Sequence, residues 1–170
     1  MKEVFAKPAV GAIIEENENG EDYILIQERM KEDNILENGL LEIPAGKIRE
    51  YENIFQGLRR EVLEETGLTI TEIEGEKDVV ECKCNGYTVI SFNPFYSSQN
   101  LSGVYSIMLQ TFICKAKGNL LKESNESINI RWIKLTELKE LLDSNENLFY
   151  PMHINAMRKY INFKLGGSNC

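Results

Sequence analysis

Hydrophobic residues rich in Ile and Val form short runs that are separated by polar segments. Two such runs, residues 9–15 and 23–28, lie on either side of a stretch that contains Asn-Gly. A second Asn-Gly pair separates the runs 79–84 and 87–92. Asn-Gly favours the positive φ angles of a two-residue turn between antiparallel strands. The pattern therefore predicts two β-hairpins.

Further strands are indicated in the second half of the chain. Residues 104–115 are β-branched or aromatic at many positions, and residues 128–132 form a shorter run of the same kind. Side chains of these types are enriched in strands. The polar segments 31–37 and 93–102 are expected to be loops.

Three segments have helical rather than strand periodicity. In residues 54–66 the side chains of Phe55, Leu58, Val62 and Thr66 recur every three or four positions, and Gly67 follows as a stop signal. Residues 136–142 place leucines on one side, and Pro151 opens a segment that runs to about residue 164. A proline is tolerated in the first turn of a helix. Strands mixed with three helices predict an α+β fold.

Length and charge narrow the possible functions. With 170 residues, one domain spanning residues 1–170 can bury a core without disulfides. The formal net charge of -8 offers no general attraction to a polyanion, which argues against coating DNA or RNA. Phosphates would then be bound locally, through a divalent cation or a few placed Lys and Arg residues.

The cysteines and the N-terminal segment bear on location. The sequence contains four cysteines, Cys82, Cys84, Cys114 and Cys170. They form no CxxC pair and no zinc-site spacing, so we expect reduced thiols. The apolar stretch at residues 9–14 is too short to span a bilayer. We therefore expect a cytoplasmic protein with neither a membrane nor a nucleic-acid partner.

The predicted helix 54–66 carries three acidic side chains at helical spacing. Glu61, Glu64 and Glu65 stand at positions i, i+3 and i+4, so their carboxylates are expected to project from one face within a single turn. Each like-charged pair destabilises a bare helix by roughly 0.2–0.5 kcal/mol, and a bound cation would reverse that effect. Oxygen ligands of this kind suit Mg²⁺, with Mn²⁺ as a substitute.

Taken alone, three glutamates on a helix more often form a solvated face. Other residues around them make the metal interpretation more specific. Glu52 precedes the helix and can reach Arg60 two turns on, which gives both a supporting role. Gly57 stands in the helix interior, where it costs roughly 1 kcal/mol relative to alanine unless packing requires it.

The whole array resembles the Nudix box at each fixed position. It covers 23 residues and comprises Gly46, Glu52, Arg60, Glu61, Val62, Glu64, Glu65, Gly67 and Leu68. The resemblance implies a Nudix fold, a mixed β-sheet sandwiched between α-helices. It also implies a metal-dependent enzyme that hydrolyses a nucleoside diphosphate linked to another moiety.

The resemblance also assigns roles by position. Glu61, Glu64 and Glu65 would be the metal ligands, together with the backbone carbonyl of Ala45, while Gly46, Glu52 and Arg60 would support them. The general base in this family is a glutamate, either in the box or on a loop near the end of the sheet. Glu126 is the favoured loop residue and Glu123 the alternative, although each is explained equally well as an exposed loop glutamate.

Substrate choice rests on weaker cues. Residues 41–47 and Pro94 look like the ADP-sugar branch, which suggests ADP-ribose or a related nucleotide sugar and allows a homodimer. Only 45 residues precede the box, fewer than the N-terminal dimerisation subdomain of many ADP-ribose pyrophosphatases needs. A pyrophosphohydrolase of nucleoside triphosphates or dinucleoside polyphosphates is the alternative. A nucleotide sensor without catalysis is a third hypothesis, disfavoured by the intact box.

Several residues outside the box are candidates for substrate contact. Arg29 ends a predicted strand and could touch a phosphate, as the resemblance implies for an Arg at this point, although a solvated strand end explains it equally well. A base or ribose could stack on the aromatic residues in or beside the 93–102 loop, although such residues more often anchor a loop. These are Phe92, Phe95, Tyr96 and Tyr105. The single histidine, His153, lies in the last predicted helix and is expected to be structural.

Overall fold

A computed structural model describes residues 3–32 and 35–166. The strands are β1 (Lys7–Glu18), β2 (Glu21–Arg29), β3 (Leu41–Glu42), β4 (Ala45–Lys47), β5 (Thr69–Ile73), β6 (Val80–Cys84), β7 (Tyr87–Ser91), β8 (Tyr96–Gln99), β9 (Ile107–Lys117) and β10 (Ser127–Lys134). The helices are α1 (Ile54–Thr66), α2 (Leu135–Ser144) and α3 (Pro151–Leu165). Short 3₁₀ turns occupy Ile35–Glu37, Glu76–Asp78 and Glu146–Leu148.

The main sheet is mixed. Its central order is β10-β2-β1-β9-β5, with β3 paired to β2, β4 to β1 and β8 to β9. The pair β1 and β9 is parallel, from Lys7 opposite Ile107 to Ile14 opposite Cys114, whereas the other pairs are antiparallel. Strands β6 and β7 form a separate two-stranded sheet.

Both predicted hairpins are confirmed, and the Asn-Gly pairs make their turns. Glu18 pairs with Glu21 across Asn19 and Gly20, whose φ angles are 53° and 84°. The β6–β7 hairpin turns in the same way at residues 85–86, with φ angles of 51° and 81°. Asparagine and glycine tolerate this left-handed region, so the turn is encoded locally.

Helices cover both faces of the main sheet, which confirms the predicted sandwich. In β1, Ala12 and Ile14 belong to the core cluster under α1, whereas Ile13 belongs to the cluster under α2 and α3. Successive side chains of a strand point to opposite faces. An uninterrupted apolar run is therefore required in a strand that is buried on both sides.

Some boundaries differ from the predictions. The expected loop at residues 93–102 contains β8, whose polar sequence Tyr-Ser-Ser-Gln gives no strand signal and which forms by pairing with β9. The strand predicted at 104–115 begins only at Ile107 and extends to Lys117. Strands β3, β4 and β5 were not predicted, because they are short and stabilised by neighbours distant in sequence.

The structure also bears on the cysteines and on membrane-spanning helices. Cys82 and Cys84 are exposed and Cys114 is buried, each as a free cysteine, while Cys170 lies outside the described residues. Within residues 3–32 and 35–166, no helix is both long and apolar enough to cross a membrane.

Candidate functional site

Helix α1 is fixed at both ends and along its inner face. The side chain of Asn53 accepts a hydrogen bond from the backbone N–H of Phe55, and Gly67 ends the helix in the left-handed conformation. Phe55, Leu58 and Val62 are buried in the core, as their periodicity predicted. The acidic side chains of α1 are thus presented by an anchored element.

Arg60 connects the charged residues on the outer side of α1. Its Nε and Nη2 donate to the carboxylate of Glu52 at 2.7 and 2.9 Å, which confirms the predicted contact. Its Nη1 donates to Glu61 at 2.5 Å and to Glu64 at 3.4 Å, and Nη2 also reaches the carbonyl of Lys47 at 3.1 Å. The hydrogen bonds from Arg60 lower the pKa of Glu52 to about 2.

Glu65 points in a different direction and is buried. Its Oε2 accepts hydrogen bonds from the side-chain amide of Gln27 at 2.9 Å and from the backbone N–H of Ala45 at 3.1 Å. The same amide lies 3.4 Å from the carboxylate of Glu42, which is also buried. Burial, followed by the negative charge of Glu42, raises the pKa of Glu65.

The three carboxylates of α1 therefore do not form the single cluster that their spacing predicted. Within the described part of the chain, no three Asp, Glu, His or Cys side chains are grouped closely enough to hold a metal ion. Each carboxylate instead turns to its nearest donor. Glu61 and Glu64 pair with Arg60, whereas Glu65 accepts the two N–H groups beneath the helix.

Next to α1 lies a cavity of about 160 Å³. Ala45, Gly46 and Glu61 line it on the side of the helix, and Glu126 lines it from the loop before β10. Glu123, the alternative loop glutamate, is not among the lining residues and instead forms an isolated bridge with Ile128. The fold thus brings Glu126, and not Glu123, to the same cavity as Glu61.

Arg29 lines the cavity but already has protein partners. Its Nε lies 3.1 Å from Glu37, its Nη1 lies 2.9 Å from Glu42, and its Nη2 donates to the hydroxyl of Tyr105 at 2.5 Å. The guanidinium also stacks 4.2 Å from the ring centre of Tyr150. Arg29 is 5% exposed and so is not a solvated strand end. These partners fix it in the cavity wall, and its contact with a substrate phosphate stays a prediction.

Two aromatic side chains expected at the substrate lie elsewhere. Phe95 packs edge-on against Tyr160 of α3, with ring centres 6.3 Å apart. Lys159, also on α3, lies over the rings of both Phe95 and Tyr96. Neither ring lines the cavity, because β8, which begins at Tyr96 directly after Phe95, packs on the α3 side of the molecule. Phe95 and Tyr96 therefore anchor β8 rather than contact a ligand there.

The other two aromatic candidates also separate. Phe92 packs between Phe55 and Phe112 in the core under α1, with ring centres 5.9 and 6.1 Å away. Tyr105 does line the cavity, where Lys47 lies 5.6 Å from its ring centre. Of the four aromatic candidates, only Tyr105 is placed to touch a ligand.

Comparison with known proteins identifies the family. Residues 6–152 match the model of the NUDIX domain. This chain belongs to the Nudix family. The predicted family and fold are thereby confirmed, as is the enzyme class, a Nudix pyrophosphohydrolase.

Solved structures share this Nudix fold at low sequence identity. The NUDIX domain of Shewanella oneidensis NrtR, in complex with ADP ribose, superposes with a TM-score of 0.65 at 15% identity, over 95% of this chain and 90% of that one. A NUDIX hydrolase from Nitrosomonas europaea gives 0.64 at 19%, over 99% and 77%. An Ap4A hydrolase from C. elegans gives 0.56 at 17%, over 95% and 99%. Comparison with curated protein sequences gave no significant match.

Nudix hydrolases use divalent metal, and the donors around β4 fit such an ion chemically. A Cβ at Gly46 would overlap the carboxylate of Glu61, so only glycine lets that side chain lie against β4. Arg60 Nη1 is shared by Glu61 and Glu64, so these two carboxylates converge on one positively charged group. The donors are hard oxygens, the type that Mg²⁺ and Mn²⁺ prefer.

Three residues that line the cavity of this Nudix site were not predicted to do so. Lys31 and Lys47 line the cavity as cations, and His153 lines it although its position in α3 suggested a structural role. His153 is 2% exposed, and its Nδ1 has no hydrogen-bond partner among the described residues. Burial, with the charges of Arg29 and Lys31, lowers its pKa to about 3, so the ring is neutral. Of the three residues, only Lys47 could have been suspected from the sequence, because it is a charged residue inside the Nudix box.

Proposed function

We propose that this Nudix enzyme hydrolyses the diphosphate bond of a nucleoside diphosphate linked to another moiety, with ADP-ribose or a related nucleotide sugar as the first candidate. The observation that carries the proposal is the placement of Glu61 and Glu126 on one cavity whose lining also includes Lys31 and Lys47. Carboxylates suited to holding a metal ion and to accepting a proton thus lie beside two ammonium groups suited to binding phosphate.

The cavity offers distinct surfaces to the two parts of such a substrate. Ala9, Ile107, Leu109 and Met152 make an apolar wall, and His153 also lines the cavity. A cavity of about 150 Å³ holds a ring the size of benzene, so about 160 Å³ suits a base or a ribose but not a whole nucleotide. The diphosphate would remain at the mouth with Lys31 and Lys47.

The chemistry follows from these positions. Mg²⁺, or Mn²⁺ in its place, would be held by Glu61, Glu64, Glu65 and the carbonyl of Ala45 once the three carboxylates turn from their present partners, Arg60 and Gln27, toward the ion. When bound, the ion would neutralise the diphosphate and make water more acidic. Glu126 accepts a proton from the water that attacks phosphorus, while the bond from phosphorus to the bridging oxygen breaks. The bridging oxygen leaves on the second phosphate. Glu52 positions Arg60, which aligns Glu61 and Glu64.

A second candidate substrate class is a nucleoside triphosphate or a dinucleoside polyphosphate. It is supported by the fold shared with the Ap4A hydrolase and by a metal and base arrangement that would serve any diphosphate bond. The products separate the two. A sugar phosphate plus AMP supports the first class, whereas inorganic pyrophosphate plus a nucleoside monophosphate supports triphosphate hydrolysis.

The test is a substrate panel of nucleoside diphosphate sugars, triphosphates and dinucleoside polyphosphates with Mg²⁺ or Mn²⁺, analysed for products. We expect turnover that stops with a chelator and is lost in Glu65→Gln. Glu72→Gln is the matched control, because Glu72 is an exposed carboxylate on β5 whose partner, Lys115, lies 3.6 Å away. Ligand binding without turnover at saturating Mg²⁺ would indicate a sensor, and full activity of Glu65→Gln would refute the assigned site.

A further inference from the structure

Lys31 and Glu126 form an ion pair, and both side chains line the cavity. Their backbones are tied in place. The N–H of Met30 donates to the carbonyl of Glu126 at 2.8 Å, and the Asn38 side chain bonds the N–H and carbonyl of Lys31 at 2.7 and 3.2 Å. Any change of partner at this pair therefore involves only the side chains.

The two members of the pair are buried to different extents. The side chain of Lys31 is 20% exposed and that of Glu126 is 53% exposed. Burial is the largest single effect on the pKa of Lys31 and lowers it, but the hydrogen bond to Glu126 and the negative charges of Glu126 and Glu65 together outweigh burial and raise that pKa. The ammonium group thus depends on an anion at the cavity, whereas the carboxylate can return to water at little cost.

Among the cations of the cavity, Lys31 is the one bound to the candidate base. Arg29 is held by Glu37, Glu42 and Tyr105. Lys47 has no carboxylate within ion-pair distance in the described residues and lies over the Tyr105 ring. Of these three cations, Lys31 is therefore the one whose change of partner would directly release Glu126.

We propose that Lys31 exchanges partners when substrate binds: an oxygen of the substrate diphosphate replaces the carboxylate of Glu126, which is thereby released toward the attacking water. The exchange rests on the function proposed above and adds a specific role to it. It replaces one charge-assisted pair with another, so the ammonium stays paired throughout. The base is then free when a diphosphate is present.

The test measures binding of α,β-methylene-ADP, in which a carbon replaces the bridging oxygen, by calorimetry with Mg²⁺. We expect Lys31→Met to weaken binding about 10- to 100-fold, because a charge-assisted hydrogen bond to phosphate is lost. Glu126→Gln should tighten binding about 3- to 10-fold, because the anion that competes for Lys31 is gone. In the Lys31→Met background, Glu126→Gln should have no effect.

The double variant separates exchange from simple repulsion between Glu126 and the ligand. Tightening by Glu126→Gln that persists in the Lys31→Met background would overturn the exchange, as would no tightening in the single variant. The matched control pair is Lys134→Met and Glu21→Gln at the other end of β2, where the two groups are 3.0 Å apart and similarly exposed. Neither control should change the affinity.

Kinetics give a second readout. Lys31→Met should raise KM more than it lowers kcat, whereas Glu126→Gln should lower kcat by about 10²- to 10⁴-fold. If the wild-type protein binds the analogue but cleaves no diphosphate, the proposed function fails while the binding cycle still decides the exchange. If the wild-type protein binds neither the analogue nor inorganic pyrophosphate, both proposals are overturned.

Discussion

Glu65 is a residue whose proposed role as a metal ligand conflicts with the stability of the folded protein. It is 5% exposed and lies beside the buried Glu42, with the amide of Gln27 bonded to both. Two carboxylates in a shared buried environment repel each other when both are ionised. A cation between α1 and β4 would relieve this repulsion. The arrangement therefore lowers the stability of the metal-free protein but favours metal binding.

We therefore predict that Glu65→Gln stabilises the metal-free protein at about pH 8, by on the order of 1–3 kcal/mol. The folded-state pKa of Glu65 is raised, so ionisation destabilises the fold above the unfolded-state pKa of about 4.3. The gain is full above the raised pKa and disappears as the pH falls toward about 4.3. Thermal denaturation with a chelator across this range measures it, with Glu72→Gln as control. A gain of equal size at low and high pH would contradict the burial argument.

At the scale of elements, α1 is encoded locally whereas several strands are not. Its predicted bounds, 54–66, agree with the structure, since Asn53 caps the start and Gly67 ends it. Gly57 also has its reason, because a Cβ there would lie 2.6 Å from Ile48 and 3.0 Å from the carboxylate of Glu52. By contrast, β8 forms through pairing with β9, and no local sequence pattern predicts that contact.

The end of α1 gives a prediction with an internal control. Gly67 and Gly86 have φ angles of 77° and 81°, so alanine at either position incurs the left-handed backbone strain of about 1–2 kcal/mol. A Cβ at Gly67 would also meet the carbonyl oxygen of Asn119 and Leu121 at 2.8 Å, whereas Gly86 has nothing within 4 Å. Denaturant unfolding should show Gly67→Ala destabilised by at least about 1 kcal/mol more than Gly86→Ala. Equal losses would mean that the Asn119 segment moves freely.

At the scale of the whole molecule, the sheet separates two core clusters that support different helices. The cluster under α1 contains Leu58 and supports the helix of the Nudix box. The cluster under α2 and α3 contains Leu138 and packs on the opposite face. The cavity also draws on α3 through Met152 and His153, but its charged groups come from the strands, the loops and α1.

Leucines on opposite faces should therefore affect stability alike and activity differently. Leu58 and Leu138 are both fully buried, so replacing either with alanine should cost about 2–5 kcal/mol. Because the sheet separates them, the two losses should add to within about 0.5 kcal/mol in the double variant. Well below both unfolding midpoints, Leu58→Ala should reduce kcat more, since it loosens the helix that presents the box. A larger effect of Leu138→Ala on kcat would contradict this division.

The sequence by itself determined the features that depend on neighbouring residues. These are the two Asn-Gly hairpins, the bounds and inner face of α1, the contact of Glu52 with Arg60, and the family. Each arises from turn chemistry, helical spacing or a contiguous motif, so the information lies within a few turns of chain.

Only the tertiary structure decided the shape and lining of the site. It placed Glu126 at the cavity and Glu123 outside it, buried Glu42 beside Glu65, and directed Phe95 toward α3. It also turned His153 from an isolated helical residue into part of the wall. These contacts join β2, β3, α1, β8, the loop before β10 and α3, which share no sequence period. Their proximity follows from sheet pairing and from packing on both faces, which no local pattern encodes.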